Sequence, residues 1–246
     1  MLQRGGMYLK TLRHATCAAI AVFATACSLS LPWKDEPIGQ EVNVAFVLRN
    51  NLLFLPSATI DGRPGRFLFG SAERQTVLDP KFAQSKPEHS LQLNERESLR
   101  ITPVIVDLHG VGDGIVGADV WGSHAITIDY RAGLLTYQKA GMYPADMVVY
   151  NFSDAPMINV IVDGHQTPAI VDTTSPDTLV LPRGSAPTGR RSAHVQLANT
   201  DFGSIDVQLA DVASPHVGNR LLSRFLISID YGRRQVGLWR DPRTAL

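Results

Sequence analysis

The chain contains an internal repeat, and this repeat limits the folds that are open to it. The segment TIDGRPGRFLFGSAERQTVLDP, residues 59–80, aligns without a gap on IVDGHQTPAIVDTTSPDTLVLP, residues 161–182. A second pair follows in the same order, GIVGADVWGSHAITIDYRAGLL (114–135) and PHVGNRLLSRFLISIDYGRRQV (215–236). The copies lie 102 and 101 positions apart. The chain beyond its N-terminal region is therefore predicted to be two versions of one structural unit.

Short apolar segments rich in Val, Ile, Thr and aromatic residues recur along the sequence, as in HAITIDY and LLTYQK. Such segments are typical of strands when turn residues separate them. The 20 glycines and 15 prolines are spread along the chain, and no segment keeps a helical period for several turns. We therefore predict an all-β chain with about one short helical turn in each copy.

Composition and charge exclude two broad classes of protein. With 44% hydrophobic and 19% charged residues, the chain has the composition of a globular protein rather than of a disordered one. The formal net charge is +0, and residues 1–26 hold three of the 23 basic side chains, which leaves 20 basic against 23 acidic ones in the remainder. This balance lacks a basic excess, so we predict no nucleic-acid partner.

The N-terminal region has the layout of an export signal. Three basic residues without an acid precede the apolar run ATCAAIAVFATA, residues 15–26. The run is too short to span a bilayer as a stable helix, and it ends in the small residues that signal peptidases accept. Cys27 follows directly. This junction also resembles the lipobox of bacterial lipoproteins, although Ala24 stands where that motif usually has leucine.

Both alternatives predict cleavage of the bond before Cys27, but they differ in whether the mature chain carries a lipid. We favour the lipoprotein, because Cys17 lies in the removed run and Cys27 is then the single cysteine, which excludes an internal disulfide. The resemblance implies a lipid on Cys27 that anchors the chain to a membrane. Ser28 after the cysteine implies, by the same resemblance, the outer membrane and its periplasmic face. The alternative is a soluble periplasmic protein.

These observations divide the chain into four parts. We predict a signal peptide at residues 1–26 and a polar, proline-broken tether at residues 27–42. The first copy of the repeat then forms a lobe at residues 43–140, and the second copy forms a lobe at residues 141–246.

Each copy carries the same series of motifs. A D-G hairpin turn precedes an apolar strand, a triplet, a T-V-L-like strand, an apolar segment ending in glycine, a short helix and an I-D-Y strand. This series resembles the lobe of retropepsin-like aspartic proteases, and two tandem copies resemble a bacterial two-lobe aspartyl protease related in plan to pepsin. The resemblance covers about residues 43–239. It implies two β-barrel lobes with pseudo-two-fold symmetry, a cleft between them, and peptide as the substrate.

The family's chemistry depends on one aspartate from each lobe. Two carboxylates held close together cannot both ionise, so they share a proton while one activates water and the other protonates the scissile carbonyl. Carried over by the resemblance, Asp172 is the carboxylate of the second lobe, whereas Gly70 stands at the first lobe's position. Half of the dyad is therefore lost, which predicts a pseudoenzyme.

The residues after each dyad position support this interpretation. The resemblance assigns Ser71 and Thr173 as braces that hydrogen-bond across to the opposite loop. Ala72 and Thr174 both depart from the family's glycine, and the β-branched Thr174 is expected to crowd its loop. The resemblance implies that His216 lies near Asp172, either as a core or rim histidine or as a functional partner.

We predict no cofactor, and the spacing of the histidines gives no metal site. The predicted function is that of an exported aspartic-protease-like lipoprotein, catalytically degenerate, that binds an extended peptide or protein segment in the interlobe cleft. One alternative is an active aspartic endopeptidase that uses Asp172 alone or in a dimer. The other is a structural lipoprotein of the cell envelope.

Overall fold

The computed structural model of the protein describes residues 41–83, 87–94, 98–122, 124–141 and 143–243. The signal segment, Cys27 and residues 28–40 lie outside the described residues, so the processing and lipidation of the chain remain predictions. The described part is built of strands, with two helices of four residues each, so the prediction of a mostly β chain is confirmed. None of its helices is long and apolar enough to cross a bilayer.

The first half of the described chain contains thirteen strands and one short helix. The strands are β1 (Val42–Ala45), β2 (Val47–Arg49), β3 (Leu52–Leu55), β4 (Thr59–Ile60), β5 (Arg63–Pro64), β6 (Phe67–Phe69), β7 (Val77–Leu78), β8 (His89–Gln92), β9 (Ser98–Ile101), β10 (Val104–Ile105), β11 (Gly114–Val116), β12 (Ala125–Asp129) and β13 (Leu134–Gln138). Helix α1 (Ala118–Trp121) lies between β11 and β12.

The second half repeats this plan with longer strands. They are β14 (Val148–Asn151), β15 (Met157–Val162), β16 (His165–Val171), β17 (Leu179–Pro182), β18 (Gly189–Leu197), β19 (Thr200–Ala210), β20 (His216–Val217), β21 (Leu226–Asp230) and β22 (Gln235–Trp239). Helix α2 (Asn219–Leu222) follows β20, as α1 follows β11.

The two halves are joined by a six-stranded sheet to which each contributes three strands. Its order is β1-β13-β12-β21-β22-β14, and the central strands β12 and β21 are antiparallel. Thr127 of β12 lies opposite Ser228 of β21. These residues occupy the same position in the two copies of the repeat. The copies therefore meet through equivalent strands at equivalent residues.

The remaining strands differ between the halves. In the second half, the sheet β15-β16-β20-β17-β19-β18 closes on itself, because the long β18–β19 hairpin pairs with both β15 and β17. In the first half, the short β8–β9 hairpin pairs with β4, and the strands divide into an open six-stranded sheet, β10-β7-β11-β6-β3-β2, and a four-stranded sheet, β5-β4-β8-β9. The expected β-barrel is therefore wrong for the first half, where the short β8–β9 hairpin pairs with β4, and β10 instead pairs with β7.

The D-G turns of the repeat have the same geometry in both halves. Asp61 and Asp163 have positive φ angles of 53° and 50°, and the glycine after each has a positive φ as well, as a tight hairpin turn requires. The carboxylate of Asp61 accepts the Ser90 N–H at 3.0 Å, and that of Asp163 accepts the His194 N–H at 2.9 Å. Each turn is therefore tied to the next hairpin of its own half.

One apolar core runs through both halves and fixes the end of β6. The ring of Trp121 in α1 lies 5.4 Å from that of Phe69 at the end of β6 and 5.7 Å from that of Tyr137 in the central sheet. Trp121 and Phe69 are fully buried. The chain directly after Phe69 is thus held against the joining sheet.

Equivalent glycines precede the two helices, and both are closely packed against backbone. A Cβ on Gly117 would lie 2.5 Å from the carbonyl carbon of Gln75, and one on Gly218 would lie 2.4 Å from the carbonyl oxygen of Asp177. Neither contact leaves room for a methyl group, because backbone atoms cannot rotate away as a flexible side chain does.

Gly218→Ala is expected to lower the free energy of unfolding by about 1–3 kcal/mol, since the segment of Asp177 must shift to admit the methyl group. Gly189 in β18 is the matched control, because no atom lies within 4 Å of its ideal Cβ position. Gly189→Ala should change stability by less than about 0.5 kcal/mol. Urea unfolding of both variants measures the difference, and equal effects would contradict the close packing at Gly218.

Candidate functional site

The two triplets that the repeat aligns, residues 70–72 and 172–174, lie against each other where the halves meet. The Ser71 N–H donates to Thr173 Oγ1 at 2.9 Å, and the Thr173 N–H donates to Ser71 Oγ at 3.1 Å. Each hydroxyl also donates to a carbonyl of the opposite half at 2.6 Å, Ser71 to Val171 and Thr173 to Phe69. We call these four hydrogen bonds the triplet brace. Ser71 and Thr173 are fully buried.

Further polar contacts hold the brace from both sides. Tyr231 Oη donates to the carbonyl oxygen of Ser71 at 3.0 Å. Asn219 Nδ2 donates to the carbonyl oxygen of Thr173 at 2.7 Å, and its Oδ1 accepts from Tyr130 Oη at 2.8 Å. Burial raises the pKa of Tyr130 and of Tyr231, so both hydroxyls stay protonated donors. The two tyrosines are equivalent in the repeat.

Asp172 is the one carboxylate that the two triplets contain, and it is well hydrogen-bonded. Its Oδ1 accepts from the backbone N–H of Thr174 at 2.8 Å and from the Thr174 hydroxyl at 2.6 Å. Its Oδ2 lies 3.0 Å from Nδ1 of His216. Burial alone would raise the pKa of Asp172, but the hydrogen bonds from His216 and Thr174 outweigh it and hold that pKa below its ordinary value.

The space that an aspartate at position 70 would use is filled by other side chains. Gly70 is buried, and a Cβ on it would lie 2.6 Å from Cγ2 of Ile115 and 2.8 Å from Cγ of Glu73. The Gly70 N–H donates to the carbonyl oxygen of Val116 at 3.0 Å, so a backbone hydrogen bond holds this loop where Gly70 has no side chain. The backbone of the first triplet is therefore held in place by hydrogen bonds, but the triplet has no carboxylate.

Positions 115 and 216 are equivalent in the repeat, and both face a triplet. Ile115 packs over Gly70, whereas His216 binds the carboxylate of Asp172. The aligned site thus contains an apolar side chain in one half and an imidazole in the other. His216 therefore lies beside Asp172, as expected, and whether it is a rim histidine or a functional partner stays a prediction.

Glu73 is a site residue that the sequence analysis missed. It is half-buried, and its carbonyl oxygen accepts the N–H of Ala118 at 2.8 Å at the start of α1. Burial and then the charge of Asp172 raise the pKa of Glu73 from 4.5 to about 7, and the proximity of His216 opposes this rise. The signal was an acid three residues after Gly70, at a position where the second copy has Ser175.

The remaining predicted residues lie at the same place. Thr174 was expected to crowd its loop, and in the structure both its N–H and its hydroxyl bind Asp172. Ala72 is half-buried in the first triplet. Two surface depressions beside β14 and β15 include no residue of either triplet. Within the described ranges, no group of three or more His, Cys, Asp or Glu side chains could hold a metal ion.

The arrangement is suited to acid–base chemistry or to polar recognition at the boundary of two halves. It holds a charged carboxylate, an imidazole on that carboxylate, and a second carboxyl group whose pKa is raised to about 7. Comparisons with protein-family models and with curated proteins gave no match.

Proposed function

We propose that the chain consists of two retropepsin-like lobes related by a pseudo-two-fold axis, and that it binds an extended peptide or protein segment in the cleft between them. The triplet brace carries this proposal. Its four hydrogen bonds connect aligned residues of the two copies reciprocally, which is the arrangement that the resemblance to aspartic proteases implies. The pairing of Thr127 with Ser228 supports the same symmetry.

An exposed strand edge in the first half favours an extended peptide as the ligand. Strand β10 lies at the edge of the six-stranded sheet that also contains β6, the strand before the first triplet. Val104 and Ile105 of β10 are 39% and 48% exposed. An edge strand offers unpaired backbone groups to an incoming strand, and apolar side chains beside it add affinity.

The proposal excludes the family's reaction with two aspartates, because Gly70 has no carboxylate and its side-chain space is filled. Binding does not need that reaction. Glu73, Thr174 and His216 are each partly exposed to solvent.

Cross-linking with a peptide mixture tests the binding proposal. Random decapeptides that carry one photoreactive phenylalanine analogue are expected to cross-link to the segments around the two triplets and to β10. Ile105→Glu should weaken this cross-linking, because it places a charge on the proposed edge. Val149→Glu in β14 is the control, since Val149 is similarly exposed at 43% but lies on the joining sheet. Cross-links confined to β14 and β15, or equal effects of both variants, would refute the cleft as the binding site.

We also propose that the chain is an outer-membrane lipoprotein facing the periplasm, on the basis of the run that ends at Cys27. The intact mass of the membrane fraction is expected to show a diacylglyceryl group on Cys27. Cys27→Ser should move the protein to the soluble fraction. An unmodified soluble chain that begins at Cys27 would favour the soluble periplasmic alternative instead.

A further inference from the structure

We infer that Glu73 supplies the carboxyl group that Gly70 lacks, and that Glu73 and Asp172 form an acid–base pair that hydrolyses the peptide bound between the lobes. This inference rests on the proposed function, since it requires a peptide at the site. It assigns to a residue outside the triplets the role that the expected pseudoenzyme had lost.

The position of Glu73 carries the inference. The Cβ and Cγ atoms of Glu73 lie 3.2 Å and 2.8 Å from the point where an aspartate at position 70 would have its Cβ. Its side chain therefore passes through the volume that the missing side chain would occupy. The backbone of Glu73 is fixed by α1 in the same way as that of Ser175 by α2, with carbonyl–N–H distances of 2.8 Å and 2.9 Å. Glu73 and Ser175 thus have equivalent backbone positions, but only the longer side chain of Glu73 reaches the space beside Gly70.

The two carboxyl groups have opposite tendencies to hold a proton. Burial and the charge of Asp172 raise the pKa of Glu73 to about 7, whereas His216 and Thr174 keep the pKa of Asp172 below its ordinary value despite its burial. Two acids whose pKa values are pushed apart by their surroundings can serve as acid and base in one reaction. Between these pKa values Glu73 is a proton donor and Asp172 is a charged acceptor.

The other charged and titratable groups around the pair are compatible with these roles. His216 on β20 contacts Asp172 and opposes the raised pKa of Glu73, and the charge of Asp172 adds to the burial that raises the pKa of Tyr130. Tyr231 is bound to the carbonyl oxygen of Ser71. Arg74, next to Glu73, forms an ion pair with Asp154.

Asp172 retains capacity to bind a water molecule. Thr174 supplies two hydrogen bonds to Oδ1, and His216 supplies one to Oδ2. A carboxylate can accept about four hydrogen bonds, so one acceptor position remains on Oδ2. A water bound there would lie between Asp172 and a peptide carbonyl.

The reaction balances with these two groups and water alone. Asp172 takes a proton from water as the oxygen adds to the peptide carbonyl carbon, and Glu73 gives its proton to the carbonyl oxygen, which forms a gem-diol. Asp172 then protonates the amide nitrogen, Glu73 takes a proton back from one hydroxyl, and the carbon–nitrogen bond breaks. The products are a carboxylic acid and an amine, and both side chains return to their starting states.

Hydrolysis of the same decapeptide mixture in ¹⁸O-labelled water tests the inference. Mass spectrometry of the products is expected to show label in new C-terminal carboxyl groups with the wild-type chain. Glu73→Gln and Asp172→Asn should each lower kcat/KM for a cleaved peptide by at least about 100-fold. The wild-type kcat/KM should fall as the pH rises through about 7, where Glu73 loses its proton. Glu88→Gln is the control, because that glutamate is an exposed acid of the same half at 59%.

Each outcome has a distinct meaning. Cleavage that is lost in Glu73→Gln and Asp172→Asn, but kept in Glu88→Gln, supports the acid–base pair. Cross-linked peptides that the wild type never cleaves overturn the pair and leave the binding proposal in place. If the peptides are neither cross-linked nor cleaved, the acid–base pair and the binding proposal are both overturned. Cleavage that persists in Glu73→Gln overturns the role of Glu73, and melting curves of that variant establish that it is folded.

Discussion

Replacing Thr173 by valine is expected to lower the free energy of unfolding by roughly 2–5 kcal/mol. The substitution keeps the shape of the side chain but removes the hydroxyl. The Ser71 N–H then loses its acceptor and the carbonyl oxygen of Phe69 loses its donor, both at a buried contact between the halves. Unsatisfied buried polar groups cost about 1–3 kcal/mol each.

Thr167→Val is the matched control, because Thr167 lies in β16, the strand that ends two residues before Thr173. Thr167 makes a long local contact of 3.3 Å to the carbonyl oxygen of His165 at the surface, so its replacement should cost less than about 0.5 kcal/mol. A double-mutant cycle of Thr173→Val with Ser71→Ala should also show coupling, because the two hydroxyls belong to one network. Additive effects of the two changes would mean that the triplet brace is absent.

Stability is expected to fall as the pH rises from about 4.5 to about 7, and Glu73→Gln should make this fall smaller. Because the pKa of Glu73 is raised from 4.5 to about 7, the folded chain holds that proton more tightly than the unfolded chain does. The contribution of this proton to the stability of the fold is complete below pH 4.5 and is lost as the pH rises through about 7. A shift of this size corresponds to at most about 3 kcal/mol, and solvent screening at a half-buried side chain lowers that figure.

The difference in free energy of unfolding between Glu73→Gln and the wild type therefore changes with pH. The variant should gain stability over the wild type above pH 7 and show little gain at pH 4.5. Asp172 does not interfere, because its lowered pKa places its own loss of stability below its ordinary 3.8. Urea unfolding across this range measures the difference, with Glu88→Gln as the control. Parallel pH curves for the wild type and Glu73→Gln would show that the environment of Glu73 does not disfavour its charge.

The internal repeat was the strongest guide to the fold. The short apolar segments predicted a mostly β chain, while the repeat aligned Ser71 with Thr173, which the structure brings into contact through the triplet brace. A repeat can predict such contacts because equivalent segments meet at equivalent residues when two copies pack symmetrically. The alignment also set His216 beside Asp172, where the structure shows a 3.0 Å contact.

Two features could not be read from the repeat, because they are differences between the copies. Glu73 has Ser175 as its equivalent, so its position over Gly70 follows from three-dimensional packing against Ile115 and not from the aligned motif. The second half closes its sheet while the first does not, because this depends on the lengths of the β8–β9 and β18–β19 hairpins. Hairpin lengths were not predicted from the sequence.

A carboxyl ¹³C NMR titration of Glu73 tests most directly whether this residue has taken the vacant place beside Asp172. The signal can be assigned by its loss in Glu73→Gln. In the wild type it should titrate near pH 7, and in Asp172→Asn its midpoint should move down towards 4.5, because one of the two causes of the raised pKa is then removed. A midpoint near 4.5 in the wild type, unchanged by Asp172→Asn, would contradict the placement of Glu73 beside the remaining aspartate.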